Sequence, residues 1–231
     1  MSATTLKRRV RRRLGLRPDF GHLDVTEPVS RNFGFDRGTP VDRYYIDRFL
    51  RGQRHCIVGR TLEIGDDSYT VEHGGTAVTQ RDVLHIDPAF PATFHGDLSQ
   101  AGVLPAESFD CAIVTQTLHL IYDMPAAVAQ LHAALRPGGT LLVTSPGISQ
   151  IADDVWGKTW YWSLTPASLT RMLDDAFGTG RASVSCYGNV FAATALLQGF
   201  AVEELPRRKL DVIDTLYPVI VAAAVSRAAD D

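Results

Sequence analysis

The sequence has little cysteine, and nothing organises what it has. Cys56, Cys111 and Cys186 are odd in number and widely spaced, and no Cys-x-x-Cys or His-x-x-x-His pattern joins them to the seven histidines. That argues against a disulfide framework and against a structural zinc site, and it fits a reducing cytoplasm. Long apolar runs are also missing. None approaches the roughly 20 residues that span a bilayer, and the N-terminus lacks the apolar core of a signal peptide. Nor is one sign of charge in excess: a net charge of −3 removes any global attraction to nucleic acid.

What is present suits one generous globular domain. Of 231 residues, 45% are hydrophobic and 21% charged, close to the soluble average. The one biased stretch is "LKRRVRRRLGLR", with Lys7, Arg8, Arg9, Arg11, Arg12, Arg13 and Arg17 close together. Two readings stand for this tail (residues 1–30): a solvated extension, or a weak electrostatic contact with anionic membrane, each basic residue contributing roughly 1 kcal/mol. The remaining residues, 31–231, read as the folded domain.

Its first clear element is "GTPVDRYYIDRFLRG", with Thr39 as N-cap, Pro40 at the first helical position and Asp42 completing a capping-box-like pattern. Val41, Tyr45, Ile46, Phe49 and Leu50 recur at helical spacing, so one face is buried. Strands are expected at 60–64, 82–87, 92–97, 109–115, 140–145, 182–187 and 217–225, with helices at 123–135 and 165–177. Strands alternating with helices predict an open, mostly parallel α/β sheet with helices on both faces.

Glycine is scarce where it matters. In "TLEIGDDSYT" the first strand ends on an acid, followed by Gly65 and then Asp66 and Asp67. A dinucleotide needs glycines and helix N–H groups around its pyrophosphate, and two aspartates would repel one. A nucleoside without phosphate is the better ligand. Acids fall at or just after strand ends at Glu63, Asp66, Asp87 and Asp97. Asp87, about 20 residues beyond the turn, stands where a carboxylate accepts hydrogen bonds from ribose.

The order "TLEIG…VLHID…GDL…LPAESFDCAIVTQTLHLIYD…LRPGGTLLVTSPG" resembles the class I S-adenosylmethionine-dependent methyltransferases, in particular their type-11 methyltransferase-domain group. The resemblance covers roughly residues 39–225 and implies a Rossmann-like seven-stranded sheet whose last strand is antiparallel. It implies S-adenosylmethionine as cofactor and S-adenosylhomocysteine as product. Glu63, Gly65 and Asp66 would form the turn around the methionine part, and Asp87 would bind ribose. Asp97 and the Leu98 backbone would hold adenine, with Thr115 and Gln116 lining the pocket below. The sequence departs from the family's E-x-G-x-G-x-G turn by keeping Gly65 alone.

All three tryptophans lie in "GISQIADDVWGKTWYWSLTP", where the resemblance places the border of the acceptor site. Trp156, Trp160 and Tyr161, with Tyr122 nearby, are therefore the candidate acceptor contacts, the alternative being that they anchor a long loop. The insertion at 188–216 either covers the cleft or buries a face of a homodimer. His119, just beyond the fourth strand, is the candidate general base, or else a hydrogen-bonded structural histidine. No metal ligand set is visible, so metal independence is expected. The reading is methyl transfer to a small-molecule acceptor, at an oxygen of a sugar or secondary metabolite. Its rivals are a non-catalytic partner protein with the same fold and a nicotinamide dehydrogenase, the latter disfavoured because no G-x-G-x-x-G follows the first strand.

Overall fold

The computed structural model describes residues 21–229, so the basic stretch Lys7–Arg17 lies outside the described residues. Helix α1 (Val41–Gly52) leads into strand β1 (Gly59–Ile64), a short helix α2 (Ser68–Gly74) and strand β2 (Val78–His85). Strands β3 (Phe94–His95) and β4 (Phe109–Thr115) follow, then helix α3 (Met124–Ala134) and strand β5 (Leu135–Pro146). The chain closes with helix α4 (Pro166–Phe177), strand β6 (Ser183–Tyr187), helices α5 (Val190–Gln198) and α6 (Arg207–Leu210), and strand β7 (Ile220–Ser226).

These strands form one seven-stranded sheet in the order β3-β2-β1-β4-β5-β7-β6. Strand β7 is antiparallel to both its neighbours, and the remaining pairs are parallel. This is the doubly wound architecture expected from the sequence. Period-two alternation splits each central strand between two cores. Ala112, Val114, Leu141 and Val143 face α3 and α4, through Leu131, Leu169 and Leu173. Ile113, Leu142, Ile220 and Ala222 face α1 and α5, through Tyr45, Ile46, Phe49 and Leu196.

Local signals mostly hold. Asp123 caps α3 by accepting from the Ala126 N–H, and Thr165 caps α4 in a reciprocal pair with Ser168. At α1 the cap differs from expectation. Pro40 is the N-cap, and the Thr39 amide and hydroxyl donate to Glu203 instead. Asp42, freed from capping, turns inward and is 8% exposed. Strand β5 begins earlier than its apolar core, because Leu135 pairs with Phe109 across a register shift and carries "RPGG" into the strand. In the insertion at 188–216, α5 packs Ala192, Ala195 and Leu196 into the core beside α1 and leaves Leu197 exposed, and none of its residues is among those lining the cleft at the carboxyl edge of the sheet.

Candidate active site

In an open α/β sheet, ligands bind beyond the carboxyl ends of the strands where the winding direction reverses. Here that switch lies between β1 and β4, which are neighbours with Glu63 opposite Ile113. A cleft of about 740 Å³ opens there, and Glu63, Gly65, Asp66, Asp97, Leu98, Thr115, Gln116, His119, Trp156 and Trp160 all line it. Tertiary structure therefore brings together most of the residues singled out by strand-end position.

The turn after β1 shows how it manages with one glycine. Gly65 has φ +97 and open space where a Cβ would stand, so it alone must be glycine in conformation. Asp66 accepts from the Ser68 N–H, and Asp67 pairs outward with Arg81 at 2.8 Å. Tyr69 holds the place of the motif's third glycine; its hydroxyl accepts from Arg43 Nη1 at 2.9 Å. Glu63 is 2% exposed and accepts from the N–H groups of Tyr69 and Thr70 and from the Thr70 hydroxyl. It thus ties β1 to the start of α2. Burial nevertheless pushes its carboxyl up to about 7, outweighing those three donors.

Asp97 sits at the cleft with one oxygen accepting from the Ser99 amide and hydroxyl. Asp87 is placed differently from the expectation that it ends β2. The strand stops at His85, and Asp87 is exposed on the following turn, accepting from the Ala89 N–H and absent from the lining of the cleft. Ile86 and the buried His85, stacked on Phe90 at 4.3 Å, line the cleft there instead.

Several lining residues escaped the sequence reading. Asp42 and Arg43 come from the start of α1, and Phe33 and Phe35 from the segment before it. Asp42 accepts from Gln116 Nε2 at 3.2 Å, and Gln116 itself has a left-handed backbone with φ +47. Arg43 lies 5.7 Å from the centre of the Phe35 ring. A signal for Asp42 existed: an acid at 42 shares the helical stripe of Tyr45, Ile46 and Phe49. An acid on an apolar face needs a partner or a ligand.

An aromatic roof closes one end. Trp160 stacks on Phe33 at 6.1 Å with planes 13° apart, and meets the His119 ring edge-on at 4.3 Å. Gln150 Nε2 donates to the Arg31 carbonyl at 2.7 Å, linking the Trp loop to the same N-terminal segment. Tyr122 and Tyr161 are brought together at 5.4 Å but on the outer surface, with Trp162; none of the three lines the cleft. Beneath Trp160, His119 is 2% exposed, and its Nδ1 is buried without a hydrogen-bond partner. Burial pushes its pKa down to about 3, so the ring is neutral at ordinary pH.

The residues fit S-adenosylmethionine. Acids at Asp42, Glu63, Asp66 and Asp97 suit a ligand carrying sulfonium and ammonium charges, and Arg43 offers a cation for its carboxylate. Among the described residues no helix is long and apolar enough to cross a membrane.

Comparison with known proteins agrees. A family model described as a methyltransferase domain matches residues 24–176. The fold is similar to an S-adenosylmethionine-dependent methyltransferase from Archaeoglobus fulgidus (13% identity, TM-score 0.53, 80% of this chain and 94% of that one). It is similar also to one from Mesorhizobium loti (19%, TM-score 0.50, 77% and 95%). The [4+2]-cyclase SpnF aligns over 96% of this chain and 92% of its own, at 15% identity and TM-score 0.54. At such identities the likeness is one of fold. A search of curated protein sequences gave no match. On the family match and the fold together, the chain belongs to the methyltransferase-domain family, class I by architecture, with S-adenosylmethionine as its cofactor.

Proposed function

We propose that the protein transfers a methyl group from S-adenosylmethionine to an oxygen of a planar secondary metabolite, a phenol or enol in preference to a sugar. The cofactor supplies an electrophilic methyl carried on sulfonium. Glu63, Gly65, Asp66 and Arg43 hold its methionine end, Asp97 and Leu98 its adenosine end, and Thr115 and Gln116 the floor between them. Phe33, Trp156 and Trp160 form the acceptor's walls. The observation that carries this reading is the aromatic roof over a neutral His119. Flat rings stack on flat acceptors, and a histidine this weakly basic is a poor proton acceptor for an ordinary alcohol. An acceptor that ionises readily needs only to be held in line and kept from water. His119 then orients the acceptor by a hydrogen bond from Nε2, its Nδ1 being sealed away from the cleft. We place the protein in the cytoplasm, where its cofactor is made and its three free cysteines stay reduced.

The test is a panel of phenols, enols and glycosides incubated with S-adenosylmethionine and read by mass spectrometry for gain of one methylene unit. Methylated phenols or enols with untouched glycosides are expected. Methylated glycosides alone would overturn the acceptor assignment. Cofactor binding by calorimetry with no methylated product from any acceptor would favour the non-catalytic partner.

A further inference from the structure

The seam between α1 and α2, one layer behind the cleft, gathers three ligand-type side chains. Asp47 from α1 and Glu72 and His73 from α2 have ligand atoms all within 4.8 Å of one another. None of the three lines the cleft. His73 is 4% exposed, and its Nε2 is buried without a hydrogen-bond partner. It faces Asp47 Oδ1 at 3.4 Å, and apart from this long contact neither buried atom has a hydrogen-bond partner. A contact this long leaves both buried atoms poorly satisfied, which is costly. At zinc–ligand distances of about 2.0–2.1 Å, tetrahedral ligand atoms stand roughly 3.4 Å apart, the separation seen between this nitrogen and this oxygen. The other Asp47 oxygen accepts from Arg51, which orients the carboxylate as outer-shell partners do. Glu72 is exposed and supplies the path by which an ion enters.

We propose that Asp47, Glu72 and His73 bind a divalent zinc-class ion that clamps α1 to α2. One imidazole with two carboxylates suits zinc better than magnesium, which favours an all-oxygen shell. The ion is structural and takes no part in methyl transfer. Its place is nonetheless close to the cleft wall. Tyr69 stacks on the His73 ring at 6.2 Å, and its hydroxyl receives the Arg43 hydrogen bond from α1. Arg51 and Arg54 add positive charge beside the site, so affinity is moderate.

The test uses the full, untagged chain after treatment with a chelator, titrated with zinc in competition with a chromophoric indicator. One zinc per chain and a raised thermal midpoint are expected, with magnesium giving no shift. Glu72→Gln, at an exposed position, should keep the fold and weaken zinc binding at least about tenfold, and His73→Gln should do so more strongly. Cobalt should give the visible absorption of a four-coordinate ion in the unaltered chain and lose it in His73→Gln. Failure to bind zinc, or equal zinc affinity in the unaltered chain and in Glu72→Gln, would overturn the proposal.

Discussion

Single residues here are tuned by burial more than by partners. Glu63 is the clearest case, with its carboxyl raised to about 7. A cationic cofactor favours its ionised form, so binding below that pH must expel a proton. Affinity for S-adenosylmethionine should therefore rise between about pH 5 and 7 and then level off. Calorimetry at pH 6 in buffers of different ionisation enthalpy should show proton release, and Glu63→Gln should abolish it. His119 moves the opposite way, to about 3. Its ring is already neutral across the working range, so turnover should show no His119-dependent limb near pH 6.5. Replacing it by Asn should cost up to about tenfold in turnover, the worth of one hydrogen bond, at every pH. The ribose and adenine end offers a comparison. Asp97 lines the cleft and Asp87 does not, so Asp97→Ala should weaken S-adenosylhomocysteine binding by roughly 10–100-fold. Asp87→Ala should do much less, as measured by calorimetry.

At the scale of elements, the site depends on two segments that are distant in sequence. The Trp loop and the segment before α1 meet through the Phe33–Trp160 stack and the Gln150–Arg31 hydrogen bond. Trp160→Ala removes the stack and uncovers His119. It should leave S-adenosylhomocysteine affinity nearly unchanged and lower turnover. It should also let the His119 pKa climb toward its ordinary 6.5, giving the variant a pH limb that the unaltered enzyme lacks. Histidine NMR titration of both proteins checks this directly. Elements were legible in the sequence where the signal was local. The caps Asp123 and Thr165, and the apolar stripe of α1, needed only neighbouring residues to be read. Short α2 was not read, because its start is held by Glu63 from the preceding strand and not by a cap of its own.

The whole molecule is a sheet shared between two cores, and its centre is β4. Ile113 is fully buried and packs toward α1 beside Leu142. Ile113→Ala should cost about 2–5 kcal/mol, the range for large-to-small core changes, read from urea unfolding followed by circular dichroism. The sequence by itself determined the fold class, the two-sided burial of the strands and the acids near the strand ends, because alternation and the order of apolar runs and acids are properties of consecutive residues. It also carried the family motifs. Only the tertiary structure decided which of those acids face the cleft. Asp87 is outside the lining: β2 stops at His85, the Asp87 carboxylate accepts from the Ala89 N–H on the next turn, and no local pattern shows where a paired strand ends. The same holds for Asp42 with Gln116, Arg43 with Tyr69, and Trp160 with Phe33 and His119. Each is a contact between segments far apart in the chain, made only when both faces of the sheet are covered and the segments at its carboxyl edge have nowhere else to pack.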